Sequence, residues 1–218
     1  MFNNCNPETN GEKKFFLSIE DKIRVIFDVG CRTDSEFTVF KGEVHYFDPR
    51  ADFIEILSKQ PLKNSSSHFN SFGLGNKNEE AYYYPGYQSF YNRITSCKRN
   101  DDANKIVLQI RKAEDYISEN NIEEIDFLKI DTEGYEFDVL KGFENYLENV
   151  KIIQFEYGGT FLDNGVKLVE VIDYLKERGF YNFSYLTSYG TEPVVDTTDH
   201  YQYCNIVCIN KKYDLVSF

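Results

Sequence analysis

Ile23-Arg24-Val25-Ile26-Phe27-Asp28-Val29-Gly30 is an almost unbroken run of β-branched and aromatic residues closed by an acid and a glycine. Such a run is what a strand buried on both faces of a parallel sheet requires. The pattern recurs in Glu43-Val44-His45-Tyr46-Phe47-Asp48-Pro49 and predicts further strands over 68–72, 125–131 and 151–157, the third of the series being stopped by Gly73 and Gly75. Between them, Phe53, Ile54 and Leu57, residues 113–120, and Phe137, Leu140, Phe143 and Leu147 keep helical spacing. Leu168, Val169, Ile172 and Leu175 mark a last helix ended by Gly179. Strands alternating with helices predict an α/β doubly wound sheet. The apolar stretches 180–186 and 203–209 have no helix between them and predict an antiparallel hairpin at its edge.

The segment 81–111 reads as strand and loop over a site, because Tyr82, Tyr83, Tyr84, Tyr87, Phe90 and Tyr91 crowd around Pro85 and Gly86, with a further strand over 106–110. Residues 1–14 read as a flexible polar tail ahead of a single domain over 15–218. The chain has 218 residues, enough for one well-buried core.

Charge narrows the function classes. With 24 Lys and Arg against 36 Asp and Glu, the net charge is −12, so nucleic acid and anionic membrane are poor partners, since both demand a basic face. No apolar run is long enough to span a bilayer and the first residues lack a signal-peptide pattern, so a cytoplasmic location is expected. The five cysteines, at 5, 31, 97, 204 and 208, form no CxxC pair and read as reduced thiols.

In an open parallel sheet ligands bind at the carboxyl ends of the strands. Asp28-Val29-Gly30-Cys31-Arg32-Thr33-Asp34 stands at the first such end, and Asp48, at the next, can accept hydrogen bonds from both hydroxyls of a ribose. The dinucleotide fingerprint is absent, because Arg32 and Thr33 occupy places where further glycines would admit a pyrophosphate. A phosphate-free nucleoside cofactor fits better. S-adenosylmethionine is one, with a ribose for Asp48, an amino-acid end for the Gly30 turn and a sulfonium suited to an acidic pocket. The bland alternative is a tight turn with an acidic strand cap.

Lys129-Ile130-Asp131-Thr132-Glu133-Gly134-Tyr135-Glu136 is more specific. Acids crowd this strand end beyond any folding need; as a solvated charge run at a helix start it would account for Glu136 and not for Asp131. Here the chain resembles the FkbM-type family of S-adenosylmethionine-dependent methyltransferases, through Asp28-Val29-Gly30, Phe47-Asp48-Pro49, Leu74-Gly75-Asn76, the segment from Phe127 to Glu136, Val139-Leu140-Lys141-Gly142 and Ile153-Gln154-Phe155-Glu156-Tyr157. The chain departs from the family's usual pattern at Cys31, Arg32 and Thr33 and has Asp48 where Glu is more usual. The resemblance implies a Rossmann-like seven-strand sheet, six strands parallel and one antiparallel, with helices on both faces. It also implies methylation of hydroxyl oxygens on sugars or natural products.

The expected cofactor-binding residues are Asp28, Gly30, Arg32, Asp48, Gly73, Asp131 and Glu133. A hydroxyl acceptor also needs a base, for which Asp131, Glu133, Glu156, Tyr157 and His200 are candidates, with Asp131, Glu156 and His200 preferred as catalytic residues. Asp131 and Glu156 lie at ends of strands expected to be neighbours. They would take the proton directly or jointly hold a divalent cation; the metal-free reading is favoured. His200 follows Asp199, which would raise its basicity, whereas His45 and His68 read as packing or cap residues. The expectation is therefore an O-methyltransferase acting on a sugar or glycan hydroxyl. The alternatives are a methyltransferase for another small molecule or a peptide, and a noncatalytic Rossmann-like binding subunit.

Overall fold

The computed structural model describes residues 4–98 and 102–213. Their strands are β1 (Val25–Val29), β2 (Glu43–Phe47), β3 (Ser66–Asn70), β4 (Gly73–Gly75), β5 (Glu79–Tyr83), β6 (Ile106–Lys112), β7 (Ile125–Ile130), β8 (Val150–Tyr157), β9 (Phe180–Thr187), β10 (Gly190–Pro193) and β11 (Cys204–Asn210). Their helices are α1 (Glu12–Ile19), α2 (Ala51–Ser58), α3 (Ile94–Cys97), α4 (Ala113–Glu119), α5 (Glu136–Gly142), α6 (Thr160–Asn164) and α7 (Leu168–Glu177).

The apolar runs that opened the sequence reading form the centre of the main sheet, whose order is β10-β9-β11-β8-β7-β1-β2-β3. The ladders β3-β2-β1-β7-β8 are all parallel. β11 runs antiparallel to both β8 and β9, so β9 points the same way as β8. Six strands thus share one direction, as expected. Two details differ. The sheet has eight strands and not seven, because β10 folds back on β9 as an edge hairpin. The antiparallel strand from the 203–209 stretch is not at the rim either: all seven residues of β11 are buried, and that apolar content is satisfied only between β8 and β9.

Alternation along the central strands feeds two cores. Phe27, Leu128, Ile130, Ile153 and Phe155 join Tyr116 and Ile117 of α4, Leu140 of α5 and Ile172 and Leu175 of α7. Ile26, Phe127 and Ile152 face Ile54 and Leu57 of α2 and Phe15, Phe16 and Ile19 of α1. The far end of the expected tail is therefore part of the fold. Asn10, Gly11 and Glu12 are buried, and Phe16 packs edge-on to Phe37 with ring centroids 5.1 Å apart. Burying Phe15, Phe16 and Ile19 contributes roughly 2 kcal/mol each, which fixes an eight-residue helix too short to persist alone. The segment 81–111 contributes to a second sheet of order β4-β6-β5. No helix among the described residues is long and apolar enough to cross a membrane.

Candidate functional site

Three loops meet beyond the carboxyl ends of β1, β2 and β7, and backbone hydrogen bonds tie them. The N–H groups of Gly30 and Cys31 donate to the Phe47 carbonyl at 2.8 and 3.2 Å, and the Asp131 N–H donates to the Val29 carbonyl at 2.9 Å. Gly30 has φ +87°, and a Cβ there would run into the Asp131 carbonyl. Only glycine lets the first loop turn so close to the third.

Two adjoining cavities open at this junction, the second the roomier. Gly30, Arg32, Asp131 and Glu133 line both. The first adds Asp48, Gly73 and an apolar wall of Phe47, Leu74, Phe90 and Tyr135. The second adds Asp28, Glu36, Lys129, Glu156 and, from the N-terminal segment, Cys5 and Glu12. The structure thus brings together every predicted site residue except two of the base candidates, His200 and Tyr157. His200 lines neither cavity. Tyr157 alternates with Glu156 along β8 and packs with the opposite core, and its hydroxyl accepts from the backbone N–H of His200 at 3.2 Å and of Tyr201 at 3.1 Å. Burial lowers the His200 pKa against the pull of Asp199 and Asp196. The Tyr157 hydroxyl is likewise occupied, donating to Asp199 at 3.1 Å.

Asp48 is buried with 4% exposure, and its carboxylate accepts from the backbone N–H of Arg50 at 2.9 Å and of Arg32 at 3.1 Å. Arg32 thus acts on the site through its backbone, held at φ +53°. A carboxylate has about four acceptor positions, so two remain for a ligand. Burial raises the Asp48 pKa to about 6, opposed by the two backbone hydrogen bonds. The aromatic loop closes this cavity. Tyr84 and Ser89 pair as a bridge, the Ser89 hydroxyl donates to the Glu133 carbonyl at 2.6 Å, and Gln88 and Phe90 form the roof. The tyrosine-rich stretch therefore sits on the Asp48 side of the cleft. A side chain at Gly73 would press on the Phe90 ring, 3.1 Å from the added Cβ.

The second cavity is dominated by carboxylates around one half-buried cation. Lys129 Nζ lies 3.5 Å from Asp131 and 3.8 Å from Glu12. Burial alone would lower its pKa, but Asp131, Glu12, Asp28 and Glu36 hold it well above the ordinary lysine value. Two carboxylate oxygens here have no hydrogen-bond partner although fully buried, Asp28 Oδ1 and Glu156 Oε2. Asp28 Oδ2 accepts from the Ser35 hydroxyl at 2.5 Å. Burial raises the pKa of Asp28, and burial with the charges of Asp131 and Glu136 raises that of Glu156 well above the usual range. Leaving a buried acceptor unmade costs about 1–3 kcal/mol, so these oxygens mark where a cationic or hydrogen-bond-donating group belongs.

Two residues of the site escape a reading of the chain alone. Lys129 looks like an outward residue of a strand, and only the fold gathers Asp131, Glu12, Asp28 and Glu36 around its charge. Glu136, expected as a solvated helix-start acid, has 0% exposure. Its Oε1 accepts from the Thr132 N–H at 2.9 Å, the Thr132 hydroxyl at 3.0 Å and the Gly134 N–H at 3.1 Å. It braces the loop that presents Asp131 and Glu133, and Glu133 is further held by an ion pair with Arg93.

The arrangement sets a carboxylate with free acceptor positions, Asp48, beside an apolar wall, and an acidic pocket across the shared rim of the two cavities. Comparison with known proteins agrees in fold and family. The model of the Methyltransferase FkbM domain family matches residues 28–181. A crystal structure of methyltransferase FkbM from Methylobacillus flagellatus KT superposes with a TM-score of 0.50 at 14% identity, covering 85% of this chain and 43% of that one. This chain therefore spans less than half of that protein. No curated protein matches.

Proposed function

The chain belongs to the methyltransferase FkbM domain family, and we propose that it transfers a methyl group from S-adenosylmethionine to a hydroxyl oxygen of a sugar or glycan. The observation that carries this reading is the pair of cavities sharing Gly30, Arg32, Asp131 and Glu133, one with a half-used carboxylate and an apolar wall, the other with two unpartnered buried carboxylate oxygens. The donor set fits the cofactor. Asp48 would hold the ribose hydroxyls, the Phe90 and Tyr135 rings, packed on each other at 5.2 Å, would offer the base one apolar wall, and Asp28 would accept from the ammonium of the amino-acid end.

When bound, the cofactor supplies a methyl group activated on a sulfonium. The residues supply alignment and proton transfer. Asp131 and Glu133 sit on the shared rim, held by the Glu136 brace, and orient the acceptor toward the first cavity; fixed orientation contributes several kcal/mol in reactions of this kind. Glu156 is the base. Its raised pKa matches it to a hydroxyl better than an ordinary carboxylate, and its free Oε2 is available to the acceptor proton.

A screen of glycosides and nucleotide sugars with labelled S-adenosylmethionine tests the reading. Transfer to a sugar hydroxyl is expected. Label appearing only on amines, peptides or non-sugar small molecules would move the acceptor class. A folded sample that binds neither the cofactor nor its demethylated product would remove the enzyme reading.

A further inference from the structure

On the sheet face that carries α4, away from both cavities, Glu43, His45 and His68 converge. The parallel register of β2 and β3 sets His45 directly across from His68, and Glu43 lies two residues before His45 on the same face. The two imidazoles stack at 4.2 Å with planes 7° apart. Their Nε2 atoms thus lie side by side and meet one carboxylate oxygen: Glu43 Oε1 is 2.9 Å from His45 Nε2 and 3.0 Å from His68 Nε2.

We propose that Glu43, His45 and His68 bind one divalent transition-metal ion of the zinc class, which staples the edge strand β3 to β2. Zinc bonds of about 2.0–2.1 Å in a tetrahedral site place neighbouring donor atoms about 3.3 Å apart. The two carboxylate–imidazole separations need an expansion of only a few tenths of an ångström, the three ligand atoms lie within 4.8 Å of one another, and the imidazoles tilt out of their stack to aim both lone pairs at the ion. Two imidazoles and one carboxylate select zinc, cobalt, nickel or copper over magnesium or calcium, which prefer all-oxygen sites.

The surroundings are those of a metal site. The other nitrogen of His45, Nδ1, is 2.7 Å from the Tyr116 hydroxyl, a contact that fixes ring orientation as outer partners of metal-bound histidines do. The Ser66 hydroxyl lies 3.0 Å from His68 Nε2, the ligating nitrogen itself, a contact that the ion displaces. His45 is anchored with 2% side-chain exposure, while His68 and Glu43 are 39% and 38% exposed, so an ion enters from solvent and keeps water in its fourth position. β3 pairs only with β2 in the main sheet and all five of its residues are half-buried. An edge held so lightly gains most from a cross-strand link, because ion binding stabilises the paired state alone.

The experiment uses tag-free protein, stripped with a chelator and dialysed, then titrated with Zn²⁺ by calorimetry and with Co²⁺ by absorption. One equivalent should bind. Co²⁺ should give tetrahedral bands without sulfur charge-transfer, and Zn²⁺, unlike Mg²⁺, should raise Tm. His68→Ala and Glu43→Gln, both at half-buried positions, should weaken binding at least tenfold and abolish the Tm rise, with the far-UV circular dichroism unchanged. Zinc affinity that survives in both variants, a sulfur-ligated cobalt spectrum, or no binding at a tenfold excess of metal would overturn the site.

Discussion

Replacing Glu36 by Gln should stabilise the protein, and only at neutral to alkaline pH. Glu36 lies on the turn after β1 and lines the second cavity. Burial raises its pKa from 4.5 to about 7; Lys129 pulls it down, while Glu12, Asp28 and Asp131 push it up. A carboxyl raised in the folded state favours folding while protonated. That contribution is complete below the unfolded pKa and is lost as pH rises from about 4.5 through about 7. At about 1.4 kcal/mol per unit, the rise sets a ceiling of about 3 kcal/mol. Water reaches this half-buried group and Lys129 can follow its charge, so about 1–2 kcal/mol is expected, or roughly 2–8 °C in Tm for a chain of this length. Glutamine keeps the shape of the neutral acid. Urea unfolding of both proteins, at about pH 4.5 and about pH 8, reads the difference. Near-identical stability at the lower pH and a clear gain for the variant at the higher one are expected. An equal gain at both would mean packing and not charge. A loss at pH 8 would mean that ionised Glu36 supports Lys129, and the reasoning would fail.

Asp48→Ala should raise the Kd for the demethylated cofactor about 100-fold by calorimetry, since hydrogen bonds to a charged acceptor contribute about 1.5–3 kcal/mol each; a Kd within threefold of the parent would put the ribose elsewhere. Glu156→Gln should slow transfer about 10²- to 10⁴-fold, the usual weight of a general base, with cofactor affinity nearly unchanged. Undiminished turnover would remove Glu156 from the reaction.

The central strands are legible in the chain because a strand buried on both faces needs no partner information to be recognised. The Asp48 half of the cleft is legible because strand ends in a parallel sheet gather at one edge, so acids and glycines closing apolar runs must meet there. The second sheet is much harder to read. β6 carries exposed Ile106 and Val107 and β5 reads Glu-Glu-Ala-Tyr-Tyr with only Tyr83 buried, so neither has a continuous buried face. Lys129 and Glu136 are indistinguishable locally from solvated charges; their burial comes from α1 and from the loop they brace. His200 misleads because its acidic neighbours suggest an activated imidazole. Which side of β8 it reaches depends on a one-residue alternation that puts Glu156 in the cleft and Tyr157 with His200 behind it.

The position of β11 bears on how the chain can be made. It follows β9 and β10 in chain order yet lies between β9 and β8, so until residues 204–210 leave the ribosome the β9–β10 hairpin has no strand to join. In that interval β8 presents a long, apolar, unpaired edge, the form of surface that recruits other chains. The wall that Tyr203 gives the second cavity is missing for just as long. The main sheet and that wall of the cavity are completed by the same stretch of chain, so nascent chains halted before β11 would lack both and be prone to aggregate.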